Sequence, residues 1–302
     1  MQPKFRARSN RGAEVRVEGS NIDGANAAAQ AYANETGAIF IHPFDDPYVI
    51  AGQGTLALEL LDQLGYLDIL LVPIGGGGLI SGMAIAAREI NPAIRIIGVQ
   101  SAAYPSMYNA LYDLDHSDNQ ADSITIAEGI AVKTTGKLTA QIIRHNVDGI
   151  LIVAEPEIEQ AIALLLSVEK TVVEGAGAAG LAAILAHPQV FEGKRVATPL
   201  TGGNIDLRIL SSVALRELIR SGRLQRFEVA ISDQPGALSE LAQLLAAQGA
   251  NVVDVAHDRL SLALNAKRAA LDIVIETEDR DHGSRIFAAM EREGFTIQAK
   301  TL

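Results

Sequence analysis

Residues Pro73-Ile74-Gly75-Gly76-Gly77-Gly78-Leu79 have the types and spacing best suited to chemistry in this sequence. Four successive glycines remove every side chain from one turn, so the backbone can wrap an anion with its own N–H groups. An apolar run precedes the turn and a helical pattern follows it, which adds a positive dipole end and free donors. No Lys-Ser/Thr pair follows, which excludes a Walker A loop, and the spacing is not that of a dinucleotide fingerprint. A plain strand-to-helix turn needs only one or two glycines, so an anion cradle is the preferred reading. A second glycine site, Thr198-Pro199-Leu200-Thr201-Gly202-Gly203-Asn204, follows another apolar run. There a hydroxyl can meet a ring nitrogen, or the segment can be a turn ending in a helix cap at Asn204 or Asp206.

These turns need a rigid frame. Strands are expected over residues 13–18, 38–42, 68–74, 95–99, 149–153 and 196–199, and helices over 25–35, 50–64, 79–90, 155–168, 171–186 and 207–220. Asn21 or Asp23 lies near the first helix's cap. Leu56, Leu58, Leu60, Leu61 and Leu64 sit loosely on one stripe of the second helix. Ile69 to Val72 run apolar without alternation, as in a parallel sheet covered on both faces. This βαβ rhythm predicts an α/β doubly wound sheet. Residues 113–122 are polar and acidic and are expected to form a surface loop. After Ser221-Gly222-Arg223, strands over 226–231, 251–256, 269–276 and 295–300 and helices over 236–248 and 281–293 give a ferredoxin-like βαββαβ unit. The domains are therefore 1–222 and 223–302.

Composition narrows the function. The chain has 302 residues, 4% aromatic content and a formal charge of -11. An acidic chain suits neither nucleic acid nor an anionic membrane surface. No cysteine is present, so disulfides and cysteine metal sites are excluded. No secretory signal or apolar stretch of membrane-spanning length is visible, which points to the cytoplasm. His42, His145 and His257 stand alone and are expected to be structural.

The run His42-Pro43-Phe44-Asp45-Asp46-Pro47, with Val49-Ile50-Ala51-Gly52-Gln53-Gly54-Thr55, resembles threonine ammonia-lyases (threonine dehydratases) and the related serine racemases. So do the tetraglycine turn, Glu128-Gly129-Ile130-Ala131-Val132-Lys133, Glu174-Gly175-Ala176-Gly177-Ala178 and Thr201-Gly202-Gly203-Asn204. These are fold-type II (tryptophan synthase β-like) pyridoxal 5'-phosphate enzymes. The resemblance implies that Gly75, Gly76, Gly77, Gly78 and Leu79 bind the cofactor phosphate. It implies that Thr201, in a place usually taken by Ser, faces the pyridine nitrogen. Phe44 stands where many relatives have a polar residue, so it is given no hydrogen bond. Glu174 falls near the family's active site, or is a helix-start carboxylate. The implied reaction deaminates L-threonine or L-serine to 2-oxobutanoate or pyruvate and ammonia. Some relatives bind a divalent metal after the strand that follows the tetraglycine helix, but residues 99–106 here hold no carboxylate, so no metal is expected.

The family's Schiff-base lysine lies in a Ser-Phe-Lys-x-Arg-Gly motif, and none of Lys4, Lys133, Lys137, Lys170, Lys194, Lys267 and Lys300 stands in that context. The Ser-x-Gly-Asn-His substrate loop is also not found, and Met1 aligns with the middle of the family's small domain. The expectation is a chain lacking the N-terminal segment: a truncated gene product, half of a split enzyme, or a catalytically dead amino-acid-binding module. Lys133 is expected to be a solvated loop cation.

Asp233-Gln234-Pro235-Gly236-Ala237-Leu238, then Leu241, Leu244, Leu245 and Gly249-Ala250-Asn251, resembles the ACT domain. Pro235-Gly236 makes the turn out of the first strand, the leucines line the helix face on the sheet, and Gly249 ends the helix left-handed. The resemblance implies an amino-acid effector bound near Asp233, Pro235, Gly236 and Asn251, and a homo-oligomer. A purely structural pairing unit is the alternative.

Overall fold

Residues 69–73 are apolar throughout, and in the computed structural model they form a strand buried at every position. The structure describes residues 12–19, 22–114, 124–258 and 267–300. Two compact units emerge, 1–161 with 173–203, and 162–172 with 204–302. In chain order the first elements are α1 (Ile22–Thr36), α2 (Pro47–Leu64), β1 (Ile69–Pro73), α3 (Gly78–Ile90), β2 (Arg95–Ser101) and α4 (Ser106–Leu111). A 3-10 turn at Glu128–Ile130 precedes α5 (Lys137–Asn146), β3 (Gly149–Val153), α6 (Glu155–Ser167), α7 (Gly175–Ala186), α8 (Pro188–Phe191) and β4 (Val196–Ala197).

The four strands of the first unit are parallel, in the order β3-β2-β1-β4. Leu70, Val72 and Ile96 share a core with Ala57, Leu61, Ile80, Met83 and Ala87 of α2 and α3. Ile69, Leu71, Ile97 and Val99 are buried as well, and α7 packs on the sheet. Both faces are thus covered, which is why the strands show no alternation. The helices α2 and α3 approach until backbone meets backbone: a Cβ on Gly82 would stand 2.1 Å from the Ile50 carbonyl oxygen.

Several expectations change. The segments 13–18 and 38–42 are not strands; the described residues offer them no neighbouring strand to bond to, and Ile39 and Ile41 lie exposed. The buried stripe of α2 is Ile50, Gly54, Ala57 and Leu61, while Leu58 and Leu64 face out. The close approach of α3 brings Gly54 and Ala57 onto the buried face beside Leu61, with Leu56 and Leu60 packed at its edge. The helix expected from Thr171 begins at Gly175, since Lys170 turns left-handed at φ 56° and the chain runs extended after it. The strand at 196–199 stops at Ala197, before Pro199, which has no N–H to donate. Asn21 and most of the acidic 113–122 segment lie outside the described residues.

The second unit contains α9 (Leu207–Arg220), β5 (Leu224–Ser232), α10 (Ala237–Ala247), β6 (Asn251–Asp258), β7 (Arg268–Glu276), α11 (Arg280–Arg292) and β8 (Thr296–Lys300). Its sheet is antiparallel in the order β6-β7-β5-β8, the ferredoxin-like arrangement. Phe227, Val229 and Ile231 alternate into a core with Leu241, Leu245, Ile286 and Met290. Leu238, expected on that inner face, is exposed, because it falls a turn too early on α10. Gly249 ends α10 with φ 80°, as its sequence position suggested. Among the described residues no helix is long and apolar enough to cross a membrane.

Candidate active site

Strand order places the two glycine turns side by side. The chain leaves β1 for β2 and β3 on one side, and β4 pairs with β1 on the other, Leu70 opposite Ala197. The point where strand order reverses is the usual ligand crevice of an open α/β sheet. Gly75–Gly78 follow β1 there, and Thr198–Asn204 follow β4.

The first turn presents a row of donors. Ile74 still donates to Val99 across the sheet, and Ser81 donates to Gly77 within α3. Between them, the N–H groups of Gly75, Gly76, Gly77, Gly78, Leu79 and Ile80 meet no backbone carbonyl among the described residues. Gly77 adopts φ 96°, a conformation that glycine takes without a steric penalty. The row coincides with the N-terminus of α3, so the helix dipole and the free donors favour the same ligand charge. The walls are close. A Cβ on Gly76 would stand 2.3 Å from the Phe44 ring, and one on Gly75 would stand 3.1 Å from the Gly129 carbonyl oxygen. Phe44 is thus an apolar wall of the turn.

The second turn carries the polar groups. Glu174 is the residue before α7, yet its carboxylate does not cap that helix. It lies instead against Gly202 and Gly129: Cβ atoms there would fall 2.7 and 3.3 Å from its Oε1. The Glu174 N–H donates to the Gly202 carbonyl at 3.1 Å, which ties the start of α7 to the loop after β4. Thr201 is half-buried in that loop, and its carbonyl packs on Gly177. Asp206, not Asn204, caps α9, accepting from Arg208 at 2.9 Å. The Thr201 turn and the helix cap are therefore separate features. Gly75, Gly129, Glu174 and Gly202 form one continuous set of contacts that links the second turn to the first.

The description "Pyridoxal-phosphate dependent enzyme" matches residues 6–202. L-threonine ammonia-lyase of Thermotoga maritima is 41% identical over 96% of this chain and 72% of its own length. A solved threonine deaminase from T.th. superposes with a TM-score of 0.62 at 40% identity, covering 68% of this chain and 67% of that one. Maize serine racemase superposes with a TM-score of 0.63 at 32% identity, over 72% of this chain and 68% of its own. The chain belongs to the threonine ammonia-lyase family of pyridoxal-phosphate dependent enzymes.

The residues present fit that family's cofactor. A dianionic phosphate needs several donors and no side-chain bulk, which is what the unbonded N–H row of Gly75–Ile80 supplies. Ile80 extends the donor set beyond the five residues that the motif pointed to. Two further residues escaped the sequence reading. Thr139 is buried and donates through Oγ1 to the Gly76 carbonyl at 2.7 Å, and Asp45 accepts from the N–H groups of Lys137 and Thr139 at 3.0 Å each. His42 is structural as expected: its Nδ1 accepts from the Asp45 N–H at 2.8 Å. Lys133 is exposed. Among the described residues no group of three His, Cys, Asp or Glu could hold a metal ion.

In the second unit the four expected effector residues are not gathered. Asp233, Pro235 and Gly236 form the turn after β5, with Gly236 at φ 101°. Asn251 opens β6, level with Glu276 and Leu224, at the opposite end of the sheet. The eleven residues of α10 separate them, a length of about 16 Å.

Proposed function

We propose that the protein is a threonine ammonia-lyase of the cytoplasm, converting L-threonine, or L-serine, to 2-oxobutanoate, or pyruvate, and ammonia. Residues 1–222 form its catalytic portion. Residues 223–302 form an ACT-type regulatory portion that senses an amino acid of isoleucine biosynthesis or threonine catabolism. The observation that carries the reading is the row of unbonded N–H groups from Gly75 to Ile80, at the switch point of a sheet whose family uses pyridoxal phosphate.

Bound there, pyridoxal phosphate supplies the electron sink that lets the substrate's Cα–H bond break. The chain's own residues hold and orient. The N–H groups of Gly75, Gly76, Gly77, Gly78 and Leu79 would hold the phosphate, and the Phe44 ring walls the turn. The Thr201 hydroxyl would be a neutral partner for the ring nitrogen, an arrangement suited to loss of a β-hydroxyl. Glu174 lies against Gly202 in the loop that follows Thr201. Effector binding that uses both the Asp233–Gly236 turn and Asn251 requires a second copy of the chain, since one copy holds them at opposite ends of the sheet. This supports a homo-oligomer.

The lysines favour a second reading of the same site. None of the seven stands in the family's Ser-Phe-Lys-x-Arg-Gly context. On that reading the chain binds cofactor and amino acids without turnover. The purified chain, supplied with pyridoxal phosphate and L-threonine, is assayed for 2-oxobutanoate. Sustained formation establishes the lyase. Binding of isoleucine, valine or threonine with no 2-oxoacid establishes the second reading. Neither turnover nor binding sinks both.

A further inference from the structure

A turn of four glycines has little conformational preference of its own, and its ordering costs more backbone entropy than any other residue type would. Something outside the turn must hold it. Thr139, fully buried on the first turn of α5, hydrogen-bonds the Gly76 carbonyl through Oγ1 at 2.7 Å. The Gly76–Gly77 peptide is trans, so fixing its carbonyl towards α5 aims the Gly77 N–H the opposite way. Thr139 is in turn fixed by Asp45. One carboxylate oxygen accepts the Thr139 N–H and the other the Lys137 N–H, both at 3.0 Å. Gly136 leaves room for this meeting: a Cβ there would stand 2.3 Å from Asp45 Oδ1 and 2.5 Å from Thr139 Oγ1. His42 anchors the other end by accepting the Asp45 N–H.

We propose that Thr139, held by Asp45, is a positioning residue that sets the Gly76–Gly77 peptide so that the turn's N–H groups face the cofactor phosphate. The proposal rests on the reading of Gly75–Gly78 as a phosphate cradle, and its test separates the two. Equilibrium dialysis of the full chain against pyridoxal phosphate and against pyridoxal, which lacks the phosphate, gives two dissociation constants. Their ratio reads the phosphate contribution alone. A wild-type ratio near one removes the cradle reading itself, whatever the variants do. With a wild-type ratio well above one, Thr139→Val keeps the side chain's shape, loses its hydroxyl and lowers the ratio about tenfold, the equivalent of one hydrogen bond. Pyridoxal binding stays unchanged, and Thr139→Ser restores the ratio. A folded Thr139→Val chain with the wild-type ratio overturns the proposal. If circular dichroism shows that variant unfolded, Asp45→Asn takes its place: a lowered ratio supports the relay, and a wild-type ratio overturns it.

Discussion

One helix glycine in each unit packs against a different kind of neighbour. In the first, Gly82 of α3 faces the backbone of α2, and its missing side chain would meet the Ile50 carbonyl oxygen at 2.1 Å and the Gly54 nitrogen at 2.6 Å. In the second, Gly283 of α11 faces the end of a flexible side chain, with Gln225 Nε2 1.7 Å from the position of a Cβ. The shorter distance belongs to the more forgiving site. Backbone within a packed helix pair cannot yield, whereas a glutamine can rotate away. The first unit is therefore less tolerant at Gly82 than the ferredoxin-like unit is at Gly283.

The largest expected effect tests that contrast. Gly82→Ala forces α2 and α3 apart and costs about 3 kcal/mol or more. Gly283→Ala displaces Gln225 from the Gly222 carbonyl, a 2.9 Å hydrogen bond. It also gains up to about 1 kcal/mol of helix propensity, so its net effect stays within about 1 kcal/mol. Urea unfolding of both variants measures the difference. Equal losses would break the comparison.

A smaller effect sharpens it by asking whether the units also differ where their chemistry is alike. Each has a helix capped by an aspartate. Asp46 accepts from the N–H groups of Tyr48 and Val49 at 2.8 and 3.1 Å, and Asp279 accepts from His282 at 2.7 Å. Replacing either by alanine is expected to cost about 1 kcal/mol. Similar losses by thermal unfolding would locate the units' difference in packing alone. A much larger loss at Asp46 would extend the rigidity of the first unit to its loops.

How far these features could be seen in advance follows from their range. The run Ile69–Val72 reveals a strand covered on both sides, because each residue reports its own burial. The glycine turns are legible for the same reason, being contiguous. The segment 38–42 misleads: Ile39 and Ile41 alternate as a strand should, but a strand exists only with a neighbour, and local sequence does not carry the neighbour. Of the α2 leucines, Leu56, Leu60 and Leu61 pack on the core, while Leu58 and Leu64 mislead, because the chosen face depends on how closely α3 approaches. Thr139 and Asp45 lie 63 and 31 residues from Gly76; Asp45 stands in the His42–Pro47 run, but nothing there points to Thr139, and nothing around Thr139 points to the turn. Asn251 was grouped with Asp233 by motif, and only strand register shows a whole strand length between them.

The smallest expected effect concerns charge, and it falls in the second unit. On the face of its sheet away from the core, Arg226 Nε and Nη2 reach the two oxygens of Asp272 at 2.8 Å each, and Lys300 lies 3.5 Å from the same carboxylate. The hydrogen bond from Arg226, helped by the charges of Arg226 and Lys300, holds the Asp272 carboxyl below its ordinary range. A carboxylate whose folded pKa is depressed contributes stability that is fully present above its unfolded value, about 3.9. That contribution fades as pH falls through the lower folded value, where the folded state too takes up the proton. Asp272→Asn should therefore lower stability at neutral pH and flatten the acid limb of the stability curve. Unfolding midpoints compared at about pH 7 and about pH 3 measure this, with the gap between wild type and variant narrowing towards the acid end. High salt should shrink the same gap at neutral pH, because the pair is partly open to water. A gap that stays the same in acid would show that Asp272 contributes through packing in the sheet and not through its charge, and the second unit's tolerance would then have to be sought elsewhere than in its polar face.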